Sequence, residues 1–140
     1  MRWNLDRRAI HSLIMRFARF TFLIAGIYGL LVLVPQYLVE FTGESAPVIT
    51  MPEFFYGFLG VAVAFQLVFI IISTNPLKYR PLILPSLVEK FSFAIAIFAL
   101  VAAGRTTGPI VIGAAIDSLL GTLFAISWWK LSKIGPTEEV

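Results

Sequence analysis

Residues 54–73 read FFYGFLGVAVAFQLVFIIIS, from Phe54 to Ser73, without a charged side chain. A helix rising 1.5 Å per residue needs about 20 apolar residues to cross about 30 Å of hydrocarbon. The stretch therefore predicts a membrane-spanning helix, and Asn75-Pro76 predicts where it stops.

Working outward, three more stretches meet the same test, at about 17–39, 82–103 and 109–129. The breaks between them carry turn chemistry. Pro81 and Pro85 sit where the third span begins. Gly104 suits the left-handed residue that ends a helix, and Gly108-Pro109 restarts the chain. The segment 39–52, with Gly43, Pro47 and Pro52, is the longest non-helical connection. The expected fold is all-α, a single membrane domain built as a bundle of four transmembrane helices. Short connections make sequential neighbours pack antiparallel.

Composition agrees. Of 140 residues, 59% are hydrophobic and 14% charged, against about 45–50% and about 25% in soluble domains. A soluble domain of this length buries too little of its surface to hide that excess. No cysteine is present, which excludes disulfides, iron–sulfur clusters, thiolate zinc sites and cysteine nucleophiles. A net charge of +3 is too small to argue for nucleic acid as a partner.

Charge placement sets the orientation. Arg2, Arg7, Arg8, Arg16, Arg19, Lys78, Arg80, Lys130 and Lys133 fall on one side of the four spans. The other side has Arg105 with Glu40, Glu44 and Glu53. The positive-inside rule makes the basic side cytoplasmic, with both termini there. The expected location is a bacterial cytoplasmic membrane, crossed several times. Tyr79, Trp128 and Trp129 mark one boundary; Tyr37, Phe41, Phe54, Phe55 and Tyr56 mark the other. The first span reads as a retained anchor rather than a cleaved signal, because Glu44-Ser45-Ala46-Pro47 is a poor cleavage site. Residues 1–16 are basic and amphipathic, with Leu5, Ile10, Leu13, Ile14 and Phe17 near helical spacing. Two readings stand: a helix in the headgroup layer, or a cytoplasmic extension of the first span. Residues 130–140 form a tail that is likewise expected to be cytoplasmic.

Ionisable groups at the bilayer centre cost roughly 2.5–3.5 kcal/mol on insertion scales, so they tend to face protein or water. Asp117 falls near mid-membrane, with Gly113, Gly121 and Ala125 at four-residue spacing, a small-residue face suited to helix contact. Glu89 shares its face with Ser92, Ala96, Ala99 and Ala103. Lys90 is turned from it by about 100° and can snorkel outward or reach Asp117. If the third span begins near Leu87 instead of Leu82, Glu89 and Lys90 are interfacial. Matched depths suggest a polar cluster of Tyr28, Gln66, Glu89, Lys90, Ser92, Asp117 and Ser118. Its functional reading is an ion, proton or ligand contact; its structural reading is a paired carboxylate between helices. Gly26, Gly29, Gly57, Gly60 and Ala64 offer close-packing surfaces on the first two spans.

Several chemistries lack their residues. His11 is the single histidine and lies outside the spans, so one chain cannot supply bis-histidine haem ligation. No H-E-x-x-H or Walker-type loop occurs. Gly43-Glu44-Ser45-Ala46 loosely mimics an intramembrane serine-protease motif, but no base accompanies that serine. No catalytic, cofactor-binding or metal-binding residue is expected.

The run Asn75-Pro76-Leu77-Lys78-Tyr79-Arg80-Pro81, continued by Leu87-Val88-Glu89-Lys90-Phe91-Ser92 and by Asp117-Ser118-Leu119-Leu120-Gly121, resembles a group of small bacterial membrane proteins without an assigned function. In size and span number the chain also resembles the DoxX-like proteins, in layout alone. The first resemblance implies that Arg80, Glu89, Lys90 and Asp117 belong to a family pattern, and it assigns them no task.

The leading expectation is a non-enzymatic accessory or scaffold component that associates with itself or with another membrane protein. The alternative is a small carrier or channel for an ion, proton or hydrophobic molecule, lined by Glu89, Lys90 and Asp117. An enzyme built on Asp117 and Lys90 comes third, for want of a nucleophile or cofactor site.

Overall fold

A computed structural model describes residues 2–39 and 49–134, with side chains from residue 7 onward. Among these residues the chain forms four α-helices and no strand: α1 (Arg2–Tyr37), α2 (Pro52–Thr74), α3 (Ile83–Ala102) and α4 (Pro109–Leu131). All four are long and apolar enough to cross a membrane. The protein is thus an integral, multi-pass membrane protein with an all-α four-helix architecture. Glu40, Phe41, Glu44 and the Gly43–Ala46 motif lie outside the described residues.

The helix ends follow from local chemistry. Helix α2 opens on Pro52, whose missing N–H would find no partner in a first turn. It closes at Asn75, whose Oδ1 accepts the Lys78 N–H at 3.1 Å. A 3₁₀ turn, Arg80–Leu82, then leads directly into α3 at Ile83. This start keeps Glu89 and Lys90 two turns inside the helix.

Helix α3 ends on Gly104, at φ 67°. The Arg105 N–H donates to the Leu100 carbonyl and the Gly104 N–H to the Val101 carbonyl, both at 2.9 Å. This paired closure needs a left-handed residue. Gly104→Ala is expected to cost about 1–2 kcal/mol, the penalty of a Cβ in that conformation. Denaturant unfolding in mixed micelles checks it; an unchanged midpoint contradicts it.

Helix α1 is continuous over 36 residues, about 54 Å at 1.5 Å per residue. The N-terminal segment from Arg2 is therefore continuous with the first long apolar helix. Ile14 and Met15 already pack against the core, while Ile10 and Leu13 are exposed.

Each helix buries one stripe. On α1 it is Ala18, Phe22 and Ala25; on α2, Leu59, Ala62, Gln66 and Phe69; on α3, Ile83, Ser86, Lys90, Ala94 and Ile97; on α4, Ala114, Gly121, Phe124 and Leu131. Most of these spacings are three or four residues, which keeps one face of a 3.6-residue helix inward. Helix α1 packs along α2 and α3 along α4 as two hairpins, which join mainly where α1 faces α4. Phe22, Phe69 and Phe124 fill the centre, with Phe22 and Phe124 stacked at 4.2 Å. The basic ends converge: the Arg80 guanidinium lies 4.1 Å from the Trp128 ring and Lys130 Nζ 4.6 Å from that of Phe17.

Candidate intramembrane polar site

Lys90 occupies the middle of the buried α3 stripe, so its stem packs inward and its ammonium must find partners inside. It finds them in the same hairpin. Lys90 Nζ donates to Asp117 Oδ1 at 3.0 Å, across α3 and α4. It also lies 3.3 Å from Glu89 Oε2. Beneath it, the Phe69 ring of α2 lies 5.2 Å from Nζ, close enough for a cation–π contact. Gly121, one turn from Asp117, faces the Phe91 ring; a Cβ there would come within 2.9 Å of it. That glycine lets the two helices approach at the level of the triad.

The lysine side chain is 6% exposed and each carboxylate 16% exposed. The site thus holds one cation between two acidic side chains, with the acids nearer the edge of the hairpin. If all three are ionised, one negative charge remains.

The other polar residues divide. Gln66 is buried, but its Nε2 donates to the Ala62 carbonyl at 2.9 Å, and its side chain packs where a Gly29 Cβ would stand. Its Oε1 has no hydrogen-bond partner. Ser118 donates to the Ala114 carbonyl, along its own helix. Tyr28 is 37% exposed and points outward, away from any cluster. Ser92 is also exposed and donates to the Glu89 carbonyl at 3.3 Å. The seven-residue cluster thus contracts to Glu89, Lys90 and Asp117. Matching depth does not fix the direction in which a side chain points.

The packing faces also differ from expectation. Ser92, Ala96, Ala99 and Ala103 are exposed, because α3 turns its Lys90 face inward. A Cβ at Gly113, Gly57 or Gly60 would meet nothing within 4 Å. Ala125 is half-buried. Of the glycines expected to pack, Gly26 and Gly29 do approach α2 closely, and Gly121 approaches α3.

Sequence reasoning passed over Phe69 as the ring beneath the lysine, and Ser86 and Ser127 as buried positions. The signal was available: residues 83, 86, 90, 94 and 97 have helical spacing, with Lys90 in the middle. Among the described residues, no three His, Cys, Asp or Glu side chains converge to hold a metal ion. Comparisons with known protein families, with characterised proteins and with solved structures found no match. The site must therefore be read from its own geometry.

Proposed function

We propose that the protein is a non-enzymatic membrane component that associates laterally, with a second copy or with another membrane protein. The observation that supports this is the outward direction of its small residues. Gly57, Gly60 and Ala64 on α2, and Ser92, Ala96 and Ala99 on α3, are all exposed. Small-xxx-small faces let helices of different chains approach closely in lipid. Their own bundle leaves these faces unused, whereas its core uses large aromatic rings.

The test is association in lipid vesicles, followed by energy transfer between labelled copies and by cross-linking to co-resident proteins. Gly60→Leu with Ala64→Leu, or Ala96→Leu with Ala99→Leu, is expected to weaken association roughly tenfold, about 1.4 kcal/mol. A chain that stays monomeric in mild detergent and in vesicles, with nothing cross-linked to it, refutes the reading.

The triad supports a second reading, a small carrier for a proton or monovalent cation. Two carboxylates share one ammonium, which leaves room for one further positive charge. Flux into protein-containing vesicles that Glu89→Gln abolishes would favour this reading over lateral association.

A further inference from the structure

At the basic end of the bundle a groove of about 400 Å³ opens between α1 and α2, lined by Arg16, Arg19, Phe20, Leu23 and Ser73. Four of these lie at i, i+3, i+4 and i+7 on α1, which places them on one helix face. Arg16 and Arg19 are exposed, and no carboxylate pairs with either among the described residues. Their neighbours differ. Lys78, Arg80, Lys130 and Lys133 each lie over an aromatic ring, at 3.9–5.3 Å. The two arginines are thus set apart from the cations that already have a ring to rest on.

The groove has a charged rim and an apolar floor. Arg16 precedes Phe17, the ring that carries Lys130 at the membrane boundary. Phe20 is exposed and Leu23 half-buried, one to two turns deeper. Ser73 Oγ donates its proton to the Ile70 carbonyl at 2.6 Å, so it lines the groove as a neutral group. We infer that this groove binds an acidic phospholipid, its phosphate held by Arg16 and Arg19 and an acyl chain lying on Phe20 and Leu23.

The chemistry selects the ligand. Guanidinium groups match phosphate oxygens in paired hydrogen bonds. Basic pockets between spanning helices at the membrane surface favour anionic headgroups. A zwitterionic lipid would bring a third cation beside two arginines. A free anion would leave the apolar floor of Phe20 and Leu23 uncovered.

The full-length protein is purified in a neutral detergent and mixed with phosphatidylglycerol or phosphatidylcholine, and bound lipid is counted by native mass spectrometry. The expected result is retained phosphatidylglycerol, with phosphatidylcholine lost. Arg16→Gln with Arg19→Gln is expected to weaken retention roughly thirtyfold, the effect of two cations near the surface. Arg105→Gln, at the other end of the bundle, is the control and should retain lipid. Helical content by circular dichroism checks that each variant is folded. Leu23→Asn leaves both arginines in place and should also weaken retention, which a purely ionic site would not show. Equal retention of both lipids, equal retention by the double variant, or displacement by inorganic phosphate at millimolar levels would each overturn the inference.

Discussion

Replacing Lys90 with methionine is expected to destabilise the bundle by roughly 3–5 kcal/mol, the cost of stranding buried partners of a removed charge. Two opposing estimates bear on this. Interhelical hydrogen bonds in membranes average only about 0.6 kcal/mol in double-mutant cycles. That figure describes a bond lost between groups that find other partners. Here the ammonium is the shared cation of two carboxylates, at 3.0 Å from Asp117 and 3.3 Å from Glu89. Its removal leaves two acids side by side with no cation near, so desolvation dominates. Methionine keeps much of the stem over Phe69, which confines the change to charge. Denaturant titration in mixed micelles measures the effect. Adding Glu89→Gln and Asp117→Asn to Lys90→Met should recover most of the loss, because neutral amides need no counter-ion. A loss below about 1 kcal/mol for Lys90→Met alone, within the range of surface ion pairs, would show that the triad is already solvated.

The second large effect lies at Gly26. A Cβ there would stand 2.8 Å from the Gln66 carbonyl oxygen and 2.7 Å from Ile70 Cγ1. The carbonyl belongs to the α2 backbone and cannot rotate away, so α1 and α2 must separate. Overpacking costs typically 1–3 kcal/mol and occasionally more. Gly26→Leu is expected at or above the top of that range, as a lower unfolding midpoint and loss of the folded band in mild detergent. Gly57→Leu is the control: nothing lies within 4 Å of a Cβ there, and the change should stay within about 0.5 kcal/mol. Equal effects at the two glycines would mean that α1 and α2 are not in close contact.

The four-helix fold was legible because lipid imposes a length and an apolar composition that 54–73 and the other three stretches state openly. Turn chemistry at Asn75-Pro76, Gly104 and Gly108-Pro109 was legible for the same local reason. The facing of each helix was harder to read. In water, polar residues mark the outside; here both sides of a helix are apolar, so hydrophobic periodicity carries little direction. The buried stripes instead contain Thr21, Gln66, Ser73, Ser86, Lys90 and Ser127, and the outward α3 face contains alanines. Taking small residues as the packing face therefore reversed α3. Lys90 was legible as a partner for Asp117 because the spans fold back in an antiparallel hairpin. Tyr28 was grouped with it by depth, which is silent about rotation, and Ser92 by sharing the Glu89 face, which turns outward.

The location of the triad within one hairpin has a consequence for how the chain enters the bilayer. Glu89, Lys90 and Asp117 all belong to α3 and α4, and the turn between those helices is short. Ion pairing is therefore complete once the later half of the chain has folded on itself, whatever the earlier half is doing. Among the described residues, that earlier half brings one buried side-chain amide, Gln66, whose Nε2 is already bonded to its own helix. Each half can meet lipid with its own buried polar contacts already formed, the triad in one and the Gln66 amide bond in the other, and docking the two becomes a matter of apolar surfaces and rings sliding together.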